Sequence, residues 1–318
     1  MANRFDVNEA AGILSQSPLF TLIYHQHPDG DCLGSTVALS EMLRLSGALV
    51  QIVDDERVIP RLLLPLIEDI NLMASKSIEK VGTLILVDCC EPKRTPTFWQ
   101  KLLDLSERVF VIDHHQTAYH CSYDGWINVK AAATAEMLCE LLALKPEWQT
   151  ERICRSLFVA LAADTGFFHY ANTTEATFRA AATLHQNPNS IYQRYFSNYT
   201  LSEARAFGLA LERLVCDGGV ITTYFNYDEM QQLQDSDIIS EVLEMLQCVD
   251  NCSIVVFMKE TGRGIWKISL RQKNSAYDLA AFAAAHGGGG HRQAAAFQKT
   301  GSLIEVQKQL VIELKEYR

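Results

Sequence analysis

Positive charge is in short supply in this chain. Its 318 residues carry 28 Lys and Arg against 38 Asp and Glu, a formal net charge of −10. Broad, sequence-independent binding of duplex DNA works by displacing counterions with Lys and Arg, so an acidic chain is poorly suited to it. A small anionic substrate held by cations and a few Arg residues remains compatible. Paired cysteines are also missing. The nine cysteines, at 32, 89, 90, 121, 139, 154, 216, 248 and 252, include no CxxC and form no regular framework. Cys139 and Cys154 fall in apolar helical patterns and read as small core residues. A reducing, cytoplasmic setting is therefore expected. No apolar run reaches the roughly 20 residues of a membrane span, and Met1–Asp6 has no signal-peptide pattern. No repeat or low-complexity tract is present.

Hydrophobic residues make up 48% of the chain and charged residues 21%, which supports a packed core and argues against disorder. The length suits two domains. Buried-strand runs are expected at 19–24, 49–53, 83–88 and 109–113, with helices over 6–17, 133–144, 151–163, 174–185 and 191–196 between and after them. Residues 59–73 read as a loop with a short helix. Asn187–Ser190 and Ser197–Thr200 are boundary signals, and a helix over 201–215 would join the halves. Beyond it, strands are expected at 220–225, 253–258 and 264–270, alternating with helices at 238–247 and 277–284. The fold class is α/β: a mainly parallel sheet flanked by helices, then a smaller α/β domain. The expected division is a first domain over 1–190, a linking helix region over 191–216 and a second domain over 217–318.

One stretch organises the first half: His25-Gln26-His27-Pro28-Asp29-Gly30-Asp31-Cys32. It follows an apolar strand, and Pro28 and Gly30 break regular structure inside it. Asp31 or a neighbour can cap the following helix. Asp29 and Asp31, one residue apart, would point the same way in an extended loop and repel unless a cation lies between them. His-Pro-Asp-Gly is also good turn chemistry. Two more strands end alike, at Asp88 and at Asp113-His114-His115. A single acid at a strand end is usually a helix cap or turn residue. Three such strands alternating with helices instead fit one ligand site at the carboxyl edge of a parallel sheet. Asp164 follows a helix, and Gly166 lets the chain turn sharply after it. Together His25, Asp29, Asp31, Asp88, His114 and Asp164 offer two imidazoles and four carboxylates. With bridging they can hold two divalent cations. A mixed O and N set without thiolate favours Mn²⁺, with Mg²⁺, Co²⁺ or Zn²⁺ as alternatives. Two cations about 3.5–4 Å apart are the standard device for phosphoryl chemistry.

These motifs resemble the DHH phosphoesterase superfamily. His25-x-x-Pro-Asp29-x-Asp31, Asp88 at its strand end, Asp113-His114-His115 and Asp164-Thr165-Gly166 match its four N-terminal motifs. Gly288-Gly289-Gly290-His291 with Ala294-Ala295 is similar to the signature of the DHH-associated substrate domain. The two-domain length resembles the nanoRNase branch, the oligoribonucleases and pAp phosphatases. Two departures stand out: Ala296 where the family often has Gly, and Cys89-Cys90 after Asp88.

The resemblance implies a hydrolase, a dimetal phosphodiesterase and phosphomonoesterase with its active site in the interdomain cleft. His25 and Asp29 would hold one cation, and Asp31, His114 and Asp164 the other, with Asp88 shared. Asp113 would orient an imidazole through its ring N–H. His115 would face the substrate phosphate or assist the leaving oxygen, so the catalytic set is His114, His115 and Asp88. Arg271, Gly288, Gly289, Gly290 and His291 would contact substrate phosphates. The implied reaction is in-line hydrolysis of short oligoribonucleotides to mononucleotides, and of pAp. The implied partners are short RNA or dinucleotide substrates and pAp, with no membrane; a homodimer is left open. Hydrolysis of pApA or cyclic di-AMP is the nearest alternative. Pyrophosphate or polyphosphate hydrolysis ranks below it, because the second domain then usually has Lys and Arg contacts instead of a Gly-Gly-Gly-His run. A non-catalytic nucleotide-binding protein is the alternative of another class, expected to have lost a ligand; no ligand is lost here.

Overall fold

The structure is a computed structural model and describes residues 2–55, 59–90, 94–197, 199–233, 238–272 and 276–317. The chain divides into two compact units, residues 1–198 and 199–318. In the first, six strands form one sheet: β1 (Leu19–Ile23), β2 (Leu49–Val53), β3 (Leu72–Met73), β4 (Gly82–Val87), β5 (Ser106–Asp113) and β6 (Gly125–Ile127). Their order is β3-β2-β1-β4-β5-β6, with every neighbouring pair parallel. The near-continuous apolar runs follow from this, because a parallel sheet is covered on both faces. Alternate side chains feed two cores. Phe20, Leu22, Ile85, Val87, Phe110 and Ile112 face one, while Ile23, Leu84, Leu86 and Val111 face the other.

The chain reverses direction across the sheet between β1 and β4, which places the crevice for a ligand at their carboxyl ends. β1, β4 and β5 lie side by side there, so the residues that follow each strand converge. Two helices on the first core complete the frame. Gly30–Leu45 packs on Glu151–Asp164, and the contact is close because Gly30 and Gly34 carry no side chain. A Cβ on Gly30 would lie 2.4 Å from the Ala163 Cβ. This brings the first turn of one helix to the last turn of the other.

Two short edge strands, β3 and β6, were not expected from sequence. The second unit holds β7 (Val215–Asp217), β8 (Val220–Phe225), β9 (Ile254–Gly262), β10 (Ile265–Gln272), β11 (Gly289–His291) and β12 (Ala294–Thr300). Their order is β11-β12-β10-β9-β8-β7, antiparallel except for the parallel pair β8–β9. The helices Leu279–Ala285 and Leu303–Glu316 cover one face, and Leu201–Glu212 and Ile238–Gln247 the other. No described helix is long and apolar enough to cross a membrane.

Candidate metal centre

The organising stretch is not an extended loop. Asp29 caps the helix Gly30–Leu45, its carboxylate accepting the Cys32 N–H at 3.0 Å, and Asp31 lies in the first helical turn. The two carboxylates therefore diverge. Asp29 Oδ2 lies 3.5 Å from His25 Nε2, whereas Asp31 Oδ2 lies 3.8 Å from His114 Nε2. Asp88 stands between the two imidazoles, with Oδ2 3.6 Å from His25 Nε2 and Oδ1 3.5 Å from His114 Nε2. Asp164, the last residue of its helix, brings Oδ2 to 3.1 Å from His114 Nε2. All six candidate ligands thus meet in one place.

Both imidazole Nε2 atoms are buried without a hydrogen bond of good geometry, the 3.1 Å approach of Asp164 included. Nδ1 of His114 lies 3.2 Å from the Ala131 carbonyl and can donate to it, which would leave a lone pair on Nε2 aimed at three carboxylates. That arrangement is repulsive unless positive charge lies between. A cation about 2.0–2.2 Å from each N and O ligand spans separations of this size. The donor set and the partnerless nitrogens therefore fit divalent metal.

Without a cation, protons take that role. Burial alone would lower the pKa of His25, but Asp29 and Asp88 outweigh it and raise it to about 9. His114 is raised to about 10 against burial by Asp164, Asp31 and Asp88. Burial raises Asp31 well above the usual carboxylate range, with Asp88 and Asp164 adding to it, and Asp164 is raised chiefly by burial as well. These shifts all run upward, toward bound protons, and mark a cluster that requires positive charge.

Exposure gives the site a direction. Side chains of Asp31, Asp88 and His25 are 0%, 1% and 5% exposed, while those of Asp164, His115 and Asp29 are 24%, 31% and 49% exposed. The first three form a floor and the last three an open rim. Asp113, itself buried, accepts the His115 backbone N–H at 3.0 Å, and its Oδ1 lies 2.7 Å from His115 Nδ1. The imidazole that Asp113 orients is thus that of His115, whose Nε2 is left for other work.

Groups not anticipated from sequence also reach the site. The N–H groups of Thr134 and Ala135 and the hydroxyl of Ser35 all donate to Asp31. Backbone N–H groups leave no mark in a sequence; the only available sign was a helix start at that point. Cys32 also comes within ligand distance of His25 and Asp29. Burial raises its thiol pKa well above normal, so it stays protonated, and Sγ lies 3.6 Å from the Asp29 carbonyl.

The remaining candidates lie in the second unit. Arg271 on β10 and His291 on β11 both pair with Ala294 on β12, so the three share one row on one face of the sheet. Gly288 and Gly290 are required by packing: a Cβ would come within 2.2 Å of the Ala296 carbonyl at Gly288, and within 2.5 Å of the Ala294 carbonyl at Gly290. Gly289 faces open space.

Comparison with known proteins agrees with this layout. Residues 20–163 match the DHH family N-terminal domain and residues 217–316 the DHHA1 domain. The chain is 28% identical over 309 residues to the bifunctional oligoribonuclease and PAP phosphatase NrnA of Thermus thermophilus, covering 94% of this chain and 89% of that protein. Among solved structures, an exopolyphosphatase-related protein from Bacteroides fragilis superposes with a TM-score of 0.85 at 18% identity, covering 98% of this chain and 96% of that one. RecJ from Thermus thermophilus, in complex with Mn²⁺, gives 0.53 at 16% identity and covers 98% of this chain and 54% of that one. The two family matches together span most of the chain, and the chain belongs to the DHH family of phosphoesterases, a hydrolase with a DHHA1 domain in its second unit.

Proposed function

We propose that the chain hydrolyses short oligoribonucleotides to mononucleotides and removes phosphate from pAp. It would use two divalent cations, Mn²⁺ foremost, held by His25, Asp29, Asp31, Asp88, His114 and Asp164. The observation that carries this reading is the pair of buried, partnerless Nε2 atoms on His25 and His114, each facing carboxylates 3.1–3.8 Å away. Bound there, such cations neutralise phosphate charge and acidify an attacking water.

The chain's own groups do the rest. The floor of Asp31, Asp88 and His25 closes one side, so substrate enters over Asp29, His115 and Asp164. Asp113 fixes the ring of His115, its Oδ1 lying 2.7 Å from the ring Nδ1. With Nδ1 held, Nε2 is the atom able to give a proton to the leaving oxygen. Arg271 and His291, with only the small Ala294 between them in their row, are assigned a further phosphate of the substrate; a planar guanidinium suits that task. The relative's printed name, an oligoribonuclease and PAP phosphatase, supports the choice of substrate.

The test is a hydrolysis screen with Mn²⁺ over a labelled dinucleotide, pAp, pApA, cyclic di-AMP and a long RNA. The expected products are mononucleotide from the dinucleotide and phosphate from pAp, with the long RNA poorly used. His114→Ala and Asp88→Ala should abolish both activities. Preference for cyclic di-AMP or pApA would replace the substrate assignment, and full activity in a folded His114→Ala variant would refute the site.

A further inference from the structure

We infer that Thr134 sets the rotation of the Asp88 carboxylate and is thereby a positioning residue of the metal centre. The inference rests on Asp88 serving both halves of the ligand cluster, as proposed above. Thr134 is fully buried and opens the helix Thr134–Leu144. The residue before it, Ala133, has no side chain to cap the helix. The first N–H groups of a helix need acceptors, and here a carboxylate from another helix supplies them. The Thr134 N–H donates to Asp31 Oδ2 at 2.6 Å and the Ala135 N–H to Asp31 Oδ1 at 3.0 Å. The helix start is thus anchored to one candidate ligand, and its first hydroxyl is delivered to another.

That hydroxyl donates to Asp88 Oδ1 at 2.9 Å. The terminal torsion of an aspartate is soft and two-fold, so the side chain does not hold its own carboxylate plane. With Oδ1 held by Thr134, that oxygen lies 3.5 Å from His114 Nε2, while Oδ2 lies 3.6 Å from His25 Nε2. One oxygen therefore faces each imidazole, the orientation a shared ligand needs. A carboxylate oxygen has two lone pairs, so accepting from Thr134 leaves Oδ1 able to bind metal. Thr134 joins Asp31 and Asp88, which follow different strands, through two atoms of one residue.

The test separates hydroxyl from shape. Thr134→Ser keeps the donor, Thr134→Val keeps the branched shape, and Thr134→Ala keeps neither. Mn²⁺ binding is read from the loss of the free-ion electron paramagnetic resonance signal, with circular dichroism to confirm folding. Wild type and Thr134→Ser should bind within about three-fold of each other. Thr134→Val should bind about 10–100-fold more weakly, the usual loss when a ligand's hydrogen-bond partner is removed. At fixed sub-saturating Mn²⁺, its kcat should fall while KM for the dinucleotide stays. Wild-type affinity in Thr134→Val, or equal weakening in Thr134→Ser, overturns the inference. Should Thr134→Val not fold, Thr134→Ala against Thr134→Ser decides on the same criterion. If wild type binds Mn²⁺, Thr134→Val loses it, and neither substrate is cleaved, the substrate assignment fails and the positioning role stands. If wild type binds no Mn²⁺, both fall.

Discussion

A single methyl group at position 34 should damage the metal centre without touching any ligand. Gly34 is buried in the helix Gly30–Leu45, where an added Cβ would lie 2.4 Å from the Ser156 carbonyl oxygen and 2.8 Å from the Ala160 Cβ. Ordinary C···O contacts begin at about 3.3 Å, so the shortfall is about 1 Å against the backbone of a neighbouring helix. Ala gains about 1 kcal/mol over Gly in helix propensity. Overpacking a tight core costs about 1–3 kcal/mol, and a backbone obstacle belongs at the upper end. The net loss is about 1–2 kcal/mol, which in a unit of this size lowers Tm by roughly 2–8 °C. Gly12→Ala, in the helix Val7–Leu14, is the control, because nothing lies within 4 Å of its added Cβ. That variant should gain about 0.5–1 kcal/mol. Relief at Gly34 must part the helix that carries Asp31 from the helix that ends in Asp164. A misplacement of about 1 Å can cost on the order of 100-fold in rate. Thermal melting in chelator and turnover with Mn²⁺ are the measurements. A Gly34→Ala chain as stable as Gly12→Ala, with wild-type turnover, would refute the packing argument.

Cation removal should be as visible in stability as in activity. At free Mn²⁺ 100 times its Kd, each of the two proposed sites should add about 2.7 kcal/mol, and together they should raise the first unit's Tm by roughly 10–20 °C. Calorimetry with and without chelator checks this; a change under about 2 °C at millimolar Mn²⁺ would contradict it. The second unit should show an acid-labile pair. Burial works to raise Glu229, but Arg213 and the Asn226 N–H prevail and hold its pKa below the usual value. A lowered folded pKa gives stability that is present above the unfolded pKa near 4.5 and lost as pH falls through the folded one. The stability gap between wild type and Glu229→Gln should therefore be full at neutral pH and close below about pH 4. A gap that widens on acidification would reverse the assignment.

The large elements were legible because their patterns are long. β4 is buried throughout and apolar over residues 84–87, and the helix Glu151–Asp164 repeats its apolar face over several turns. β3 and β6 are two and three residues long, so only neighbouring strands define them. The run Ala294-Ala295-Ala296-Phe297 fits helix or strand by propensity; pairing with β10 decides for strand. At the site, side-chain identities were readable and directions were not. Adjacent placement in sequence suggested that Asp29 and Asp31 act together, yet the helix begins between them and sends each to a different imidazole. The donors from Thr134 and Ala135 depend on where a helix start lies in space, which no local pattern encodes, whereas Ser35 reaches Asp31 from one turn along the same helix. The glycines before His291 suggested close backbone approach to phosphate, whereas two of them already have a packing reason.

Backbone strain collects at the same place as the charge. Asp88 has φ 58°, and Phe167 and Phe168, just after Asp164, have φ 55° and 70°. Asp tolerates the left-handed region, but a bulky aromatic there costs on the order of 1–3 kcal/mol. At Asp88 the turn is pinned by its N–H donating to the Ile112 carbonyl at 2.8 Å. At Phe167 and Phe168 the compensation is aromatic: Phe168 packs on Phe158 and Phe178, and Phe167 on Tyr192 and Phe196. The Thr165 hydroxyl also accepts the Phe168 N–H at 3.1 Å. These contacts hold a turn that ends the helix directly after Asp164 and leaves its carboxylate at the rim. Converging carboxylates and left-handed aromatics are each unfavourable alone. Their coincidence is understandable if the ligand positions were the fixed requirement and the surrounding packing adapted to keep them there.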